Sequence, residues 1–417
     1  MKFAVLADAH IGRSIPLAIA EHRRRAFTEA FRKAVDAIID AGVEYIFICG
    51  DLFERRTLRP SLVQFVHDEL YRLATGITEQ HGHEPKILII RGNHDGRPLS
   101  DTLDYIRHPL AKYLHIFDEE NMVYSDDRVY VVGLGYYENI GKAYEKLVKP
   151  AFEKAEDEDL RILMLHTFIQ GYQDIPPYSP ALTIDELVEV DPRYVFAGHH
   201  HERHKPKPLP NGGWLLTPGS LEMYDFGEKP DKGFYIVEDA ESERPNFKWI
   251  PIEPMHVMRR IPVTSDRRRP PSWYAEQILE AVKGFIEELR RVNKPGYLRV
   301  PVRGGLSEGL PSDIDLRGVE SLVEEEPLLL WVDVDTMGLE MPPFMPPPGG
   351  EEVAVEEFFS DFGPFAEEIA EMHERVRETL EEEASVETGL LTPSKRRPLI
   401  EEWLRRFEEH SFRGEKP

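Results

Sequence analysis

Five short apolar runs in this chain each end in side chains able to hold a metal ion, and that pattern narrows the folds open to it. Residues 3–7 lead into Asp8 and His10, 45–49 into Gly50-Asp51, and 87–90 into Gly92-Asn93-His94-Asp95. Residues 161–165 lead into His166, and 194–197 into Gly198-His199-His200-His201. Apolar runs of four or five residues read as strands buried on both faces. The ends of such strands are where α/β folds carry their chemistry. A single Asn-His-Asp after a glycine is also an ordinary turn. Five coincidences of this kind are hard to explain by turns or core packing.

The stretches between the runs carry helical spacing. Within 17–41, Ala26, Ala30, Phe31, Ala34 and Ile38 share one face. Helices are also expected at 61–73, near 100–113 and at 141–156, with further strands at 122–124, 129–134, 214–216 and 234–237. This alternation predicts an α/β fold in which two sheets pack face to face with helices outside. The pattern changes near residue 250. Residues 255–335 read strand (256–263), helix (273–292), strand (298–302), short helix (314–323) and strand (328–334), a small α+β unit. A Pro/Gly-rich linker spans 340–352. A helical tail fills 353–417, with a second helical piece at 398–410. The expected domains are therefore 1–250, 255–335 and the tail 353–417.

A length of 417 residues suits two to three domains. The net charge of -25 argues against a general nucleic-acid coat protein, but it is uneven: residues 351–390 hold fourteen acids against Arg375 and Arg377. About half of the excess thus lies in one C-terminal segment. Cys49 is the one cysteine, so no intramolecular disulfide and no cysteine zinc motif is expected. It sits in an apolar run and reads as a small core residue. No run of about 18 apolar residues occurs, so no membrane span is expected. The expectation is a soluble, cytoplasmic protein.

The mixed donor set of carboxylate, amide and imidazole suits two borderline-hard divalent ions such as Mn²⁺. Two ions roughly 4 Å apart need one ligand that reaches both, and a carboxylate does this best. Such a pair stabilises charge on a phosphoryl group and acidifies a water near neutral pH.

Asp8-Ala9-His10, Gly50-Asp51, Gly92-Asn93-His94-Asp95, His166 and Gly198-His199-His200-His201 resemble the signature of calcineurin-like metallophosphoesterases. Gly50-Asp-Leu-Phe53, Ile162-Leu-Met-Leu-His166, Thr217-Pro-Gly-Ser-Leu-Glu222 with Asp225-Phe-Gly227, and Gly233-Phe-Tyr-Ile-Val-Glu-Asp239 extend the likeness. They resemble the double-strand-break repair nucleases called meiotic recombination eleven in archaea and eukaryotes and SbcD in bacteria, the archaeal branch above all. The likeness is strong over 1–240, lies in arrangement alone over 255–335, and is compositional beyond 350. It implies a two-metal DNA exonuclease and endonuclease for double-strand-break ends, single strands and hairpins. Asp8, His10, Asp51 and His201 would hold the first metal, most simply Mn²⁺. Asp51 would bridge to a second, completed by Asn93, His166 and His199. His94 would contact the scissile phosphate and protonate the leaving oxygen, while His200 would point away. Where several relatives carry a histidine that assists exonuclease chemistry, this chain has Glu54, which bears on the balance of exonuclease and endonuclease activity.

The same likeness implies a homodimer and a Rad fifty/SbcC-type ATPase partner, gripped at its coiled-coil base by the acidic, amphipathic tail. Helices at 61–75 and 100–113, with Leu62, Phe65, Val66 and Leu70 and with Leu103, Ile106 and Leu110, would form the dimer bundle; the plainer reading packs them on their own sheet. Arg55, Arg56 and Arg59 are candidate DNA contacts. Arg267-Arg268-Arg269 reads as a solvated loop or as a phosphate contact of residues 255–335, which the likeness casts as a capping, DNA-binding domain over the nuclease site; Arg23-Arg24-Arg25 reads as helix surface. A small-substrate phosphodiesterase is the alternative enzyme, though it needs neither capping domain nor tail.

Overall fold

The computed structural model describes residues 1–56, 59–96, 110, 112–156, 160–342 and 405. The chain divides into two units, Met1–Pro342 and Pro343–Pro417, and the elements below belong to the first. One six-stranded sheet runs Asn246–Pro251, Gly233–Glu238, Phe3–Leu6, Tyr45–Cys49, Lys86–Ile90, Leu114–Ile116, with the last four parallel. The other runs Lys207–Pro208, Trp214–Leu216, Tyr194–Gly198, Leu160–His166, Val129–Leu134, Val123–Ser125, with the middle four parallel.

Side chains alternate across a strand, and here both faces are buried. Phe3, Val5, Phe47, Cys49, Leu88 and Ile90 of the first sheet meet Val131, Ile162, Met164, Tyr194 and Phe196 of the second in one apolar cluster. The intervening Ala4, Leu6, Ile46, Ile48, Ile87 and Ile89 face the helices Ala20–Ala41 and Pro60–His81. On the far side, Val132, Leu163, Leu165, Val195 and Ala197 pack against Tyr144, Val148 and Phe152. This gives the expected two-sheet α/β sandwich flanked by helices. Continuous apolar runs follow, because no face of either inner strand set meets water.

A third sheet is built on Gly296–Gly305, with Val257–Arg260, Val263–Thr264 and Leu329–Glu340 all parallel to it. The helices Pro271–Val292 and Arg317–Glu325 cover it. The strand expected over 256–263 is two strands; Pro262 at the break has no N–H for the ladder. The helix expected over 314–323 is a 3-10 turn, Pro311–Asp313, followed by Arg317–Glu325. The one expected over 141–156 contains a π turn at Tyr144–Val148 and ends its last α turn at Phe152. Pro150 removes one of its backbone donors. Short strands at Leu114–Ile116, Phe168–Gln170, Ala181–Thr183 and Asn246–Pro251 went unread. The helix expected near 100–113 lies outside the described residues except for Leu110 and 112–113. The tail and nearly all of the linker lie outside them too.

Two expectations about surfaces change. Val66, Leu70 and Leu110 are buried in the chain's own core, and Leu62 and Phe65 pack against it. These side chains therefore have partners within the chain. Arg23 is not helix surface. It is 1% exposed and donates to the carbonyls of Ile15, Met223 and Tyr224. Its Nη1 also lies 3.1 Å from Met258 Sδ. The loop 220–228, pinned in this way, joins the sandwich to the third sheet through Met223, Phe226, Met258 and Tyr297.

The two sheets come closest where their central parallel strands end. His166 Nδ1 donates to Cys49 O across the gap at 2.8 Å. Gly198 lies so near that a Cβ there would sit 2.0 Å from the same carbonyl. Overpacking of this kind costs roughly 1–3 kcal/mol. Gly198→Ala should lower unfolding free energy in chemical denaturation by about that amount. Stability equal to that of the unsubstituted protein would show that the sheets can separate freely here.

Candidate metal centre

Every sequence-derived candidate lies at the end of a parallel strand, and the two sheets bring these ends together. Asp8 and His10 follow Phe3–Leu6, Asp51 follows Tyr45–Cys49, and Asn93 and His94 follow Lys86–Ile90. His166 ends Leu160–His166, and His199 and His201 follow Tyr194–Gly198. Donor atoms converge in three overlapping groups: Asp8, His10 and His201; His10, Asp51 and His94; and Asp51, His166 and His199. Asp51 is common to the last two. Its Oδ2 is 3.7 Å from His10 Nε2 and 3.3 Å from His166 Nε2. Asn93 Oδ1 adds a fourth donor beside His166, 3.2 Å from Nε2.

Four imidazoles are oriented from behind. His166 Nδ1 donates to Cys49 O and His94 Nδ1 to Glu54 O, both at 2.8 Å. His201 Nδ1 is 2.9 Å from Glu228 Oε1. His10 Nδ1 lies 3.1 Å from Glu54 Oε2, at ion-pair distance but off the line of a hydrogen bond. Each Nδ1 thus faces an acceptor, which places a proton on Nδ1 and turns Nε2 inward. The Nε2 atoms of His10 and His201 then face each other at 3.1 Å. Lone pairs so opposed, with carboxylates beside them, fit a divalent cation. The residues present therefore suit a two-metal centre. Asp8, His10, Asp51 and His201 are grouped on one side, and Asp51, Asn93, His166 and His199 on the other.

The backbone is held in a less favoured form to achieve this. Asp8, His10, Asp51 and His199 have φ of 52°, 45°, 49° and 82°, four of the eight positive-φ non-glycine residues among the described residues. Each such residue costs about 1–3 kcal/mol, and here they cluster at one site. Main-chain bonds hold the turns. Asp8 N donates to Gly50 O, His10 N to Asp51 O and His199 N to the Asp8 carboxylate. Asp95 is fully buried and accepts from Phe53 N and Gly92 N. Burial, with Asp51 nearby, lifts its carboxyl to about 7.

Burial penalises the Asp51 charge, but His166, His10 and His94 outweigh it and hold the carboxyl well below its usual range. Burial also disfavours charge on His166, yet Asp51 raises it to about 9. His199 is pushed down to about 3, first by burial and then by His166. One negative carboxylate thus serves as the electrostatic pivot of the cluster.

His94 shares the second of these groups with His10 and Asp51 and is its most exposed member. Its N–H donates to Asp51 Oδ1 at 2.8 Å, and its side chain is 28% exposed where those of His10 and His166 are fully buried. His200 does not converge; its Nδ1 meets the main chain of Glu202, and its ring packs against His204 and Phe168. Three supporting residues were not read as such from the sequence, where Glu54 stood out only as a departure from several relatives. Glu54 ties His10 to Arg13, whose Nη1 donates to Glu54 Oε1 at 2.7 Å. Glu228 backs His201 and receives Lys232 Nζ at 2.6 Å. Burial works against the Glu228 charge, but His201 and Lys232 hold it down at about 2. The Tyr224 ring covers His10 at 4.5 Å and His201 at 4.4 Å, and the Arg13 guanidinium lies over the Tyr224 ring, 3.5 Å from its centroid.

A cleft of about 530 Å³ opens beside the centre, lined by Asn93, Arg56, Arg91, Phe117, Tyr136 and Tyr137 among others. Arg55, Arg56 and Arg59 are exposed at this mouth of the Asp51 strand. Arg267 and Arg268 are exposed on the third sheet's loop; Arg268 is tied to Leu306 O and Met341 O, and Arg269 packs over Trp273.

Residues 1–203 match the family model for calcineurin-like phosphoesterases. The chain is 26% identical over 252 residues to an uncharacterized metallophosphoesterase, YhaO, of Bacillus subtilis, covering 57% of each chain. It is 23% identical over 291 residues to the DNA double-strand break repair protein Mre11 of Methanopyrus kandleri, covering 64% of this chain and 60% of that one. The Mre11 of Archaeoglobus fulgidus is 23% identical over 334 residues, covering 72% of this chain and 67% of its own. The chain thus spans less than two thirds of the length of the first two relatives. Residues 1–203, with their two-sheet fold and converging donor groups, are thus similar to calcineurin-like phosphoesterases, and that likeness covers just under half of the chain.

Proposed function

We propose that this protein is a two-metal DNA nuclease that hydrolyses phosphodiester bonds in the processing of broken ends. The observation that carries this is the sharing of Asp51 between two converging donor groups, with His94 beside them and an arginine-bearing cleft at Asn93. Two divalent ions, taken as Mn²⁺, would supply Lewis acidity toward a phosphoryl group and acidify a water. The protein's own residues do the rest. Asp8, His10, Asp51 and His201 hold the first ion, and Asp51, Asn93, His166 and His199 the second. His94, with Nδ1 committed to Glu54 O, presents Nε2 to the scissile phosphate; in its doubly protonated form it gives the Nε2 proton to the leaving oxygen and is left as the neutral Nδ1–H imidazole. Tyr224 keeps water from the His10 and His201 flank. Arg56 and the cleft receive the backbone next to the cleaved bond.

DNA is favoured over a small substrate by the reach of the likeness. The alignments with proteins named for double-strand break repair run to 291 and 334 residues, past the 203 of the family model. Residues 255–335 then act as a cap that contacts DNA. The tail 353–417 docks on a Rad fifty/SbcC-type ATPase, and two copies form a homodimer. Among the described residues no helix is long and apolar enough to cross a membrane.

The test is cleavage of end-labelled duplex, single-stranded and hairpin DNA with Mn²⁺, beside a small aryl phosphodiester. DNA cleavage is expected, lost by at least about 100-fold in both His94→Ala and Asp51→Ala, a size typical of losing a positioned acid. His94→Ala should keep both metals by elemental analysis, and Asp51→Ala should not. Hydrolysis of the small diester with no DNA cut would overturn the proposal, and loss of metal in His94→Ala would overturn the role given to that residue. Truncation after Met341 should abolish capture of the cognate ATPase while Mn²⁺-dependent cleavage of single strands persists. Full-strength capture by the truncated protein would remove the tail from the docking role.

A further inference from the structure

We propose that Glu54, anchored by Arg13, is the positioning residue of the first metal position and sets its affinity separately from the second. This rests on the two-metal reading above. Glu54 is 3% exposed and lies three residues after Asp51, yet its contacts all run sideways. One carboxylate oxygen accepts from Arg13 Nη1 at 2.7 Å, and the other lies 3.1 Å from His10 Nδ1. Neither that oxygen nor that nitrogen has a hydrogen-bond partner among the described residues. A buried polar pair left in this state is costly unless each serves the other. A carboxylate behind a ligand histidine fixes the ring's tautomer and raises its basicity. The main chain of the same residue acts on a second ring: Glu54 O receives His94 Nδ1 at 2.8 Å, and Glu54 N is bonded to Ile11 O.

The anchoring is itself braced. Arg13 stacks on Tyr224, donates to Tyr224 O at 3.3 Å, and is nine-tenths buried as a side chain. Tyr224 in turn lies on the His10 and His201 rings. On the second side of the centre the supports are different in kind. His166 is backed by a main-chain carbonyl, and the His199 ring by Phe168 and Tyr136 at 4.5 and 5.5 Å. A full negative charge therefore supports a histidine of the first position, through Glu54, with no contact to the histidines of the second. The two positions should respond differently when it is removed.

The experiment uses full-length protein stripped of metal with a chelator and titrated calorimetrically with Mn²⁺. His199→Ala isolates the first position, and His201→Ala the second. Adding Glu54→Ala should weaken binding about 10- to 100-fold in the His199→Ala background. In the His201→Ala background the change should stay within about threefold, below the usual effect of losing such a support. Glu54→Gln, which keeps the side chain's shape and an oxygen beside His10 Nδ1 but removes the charge, should fall between Ala and the unsubstituted residue. It also carries the test should the Ala variant fail to fold, as judged by thermal melting. Unchanged affinity at the first position, or an equal loss at both, would overturn the proposal and leave Glu54 as a structural partner of Arg13. A protein with native Glu54 that binds fewer than two ions would overturn the two-metal reading itself.

Discussion

The hydrogen bond from His166 to the carbonyl of Cys49 ties the two sheets together where their parallel strands stop, and the whole centre depends on that closure. It joins the end of one central strand to the end of another across the sandwich. It also fixes the His166 proton on Nδ1 and leaves Nε2 for Asp51 and Asn93. Gly198 permits the approach, since any side chain would strike the same carbonyl. Were the sheets to part at this end, the groups on Asp8 and His10 would lose His201, and Asp51 would lose His166 and His199.

Around that closure the electrostatics follow simply. Asp51 is buried among imidazoles that keep it ionised, and among the described residues it is the one carboxylate shared by two of the donor groups. Strained turns at Asp8, His10, Asp51 and His199 aim the donors inward. Their cost is borne by the apolar layers beneath, in which Phe3, Phe47 and Phe196 meet edge-on or tilted at centroid distances near 5 Å. Rigid strands below and short strained turns above are what a centre needs if its donors are to be held in place before a cation arrives.

Much of this was legible in sequence for a physical reason. The inner strands are buried on both faces, so each reads as an unbroken apolar run, and the polar residue that ends it is conspicuous. Leu114–Ile116 and Asn246–Pro251 were missed because edge strands are short or mix exposed and buried positions. The support that Glu54, Glu228 and Tyr224 give to the ligand rings was invisible for another reason. Their contacts with His10 and His201 span 23 to 214 positions and follow no periodicity. Arg23 read as surface because its burial depends on a loop 200 residues away. The apolar positions Leu62, Phe65, Val66 and Leu70 of Pro60–His81 pack on the chain's own core, as the plainer of the two readings had it.

The central claim is that one carboxylate, Asp51, joins two cation positions. Crystals soaked in Mn²⁺ and measured at the manganese absorption edge test it directly. Two anomalous peaks about 4 Å apart are expected, one against His10 and His201, the other against Asn93, His166 and His199, each touching an oxygen of Asp51. A single peak, or a pair in which Asp51 reaches only one ion, would contradict the account.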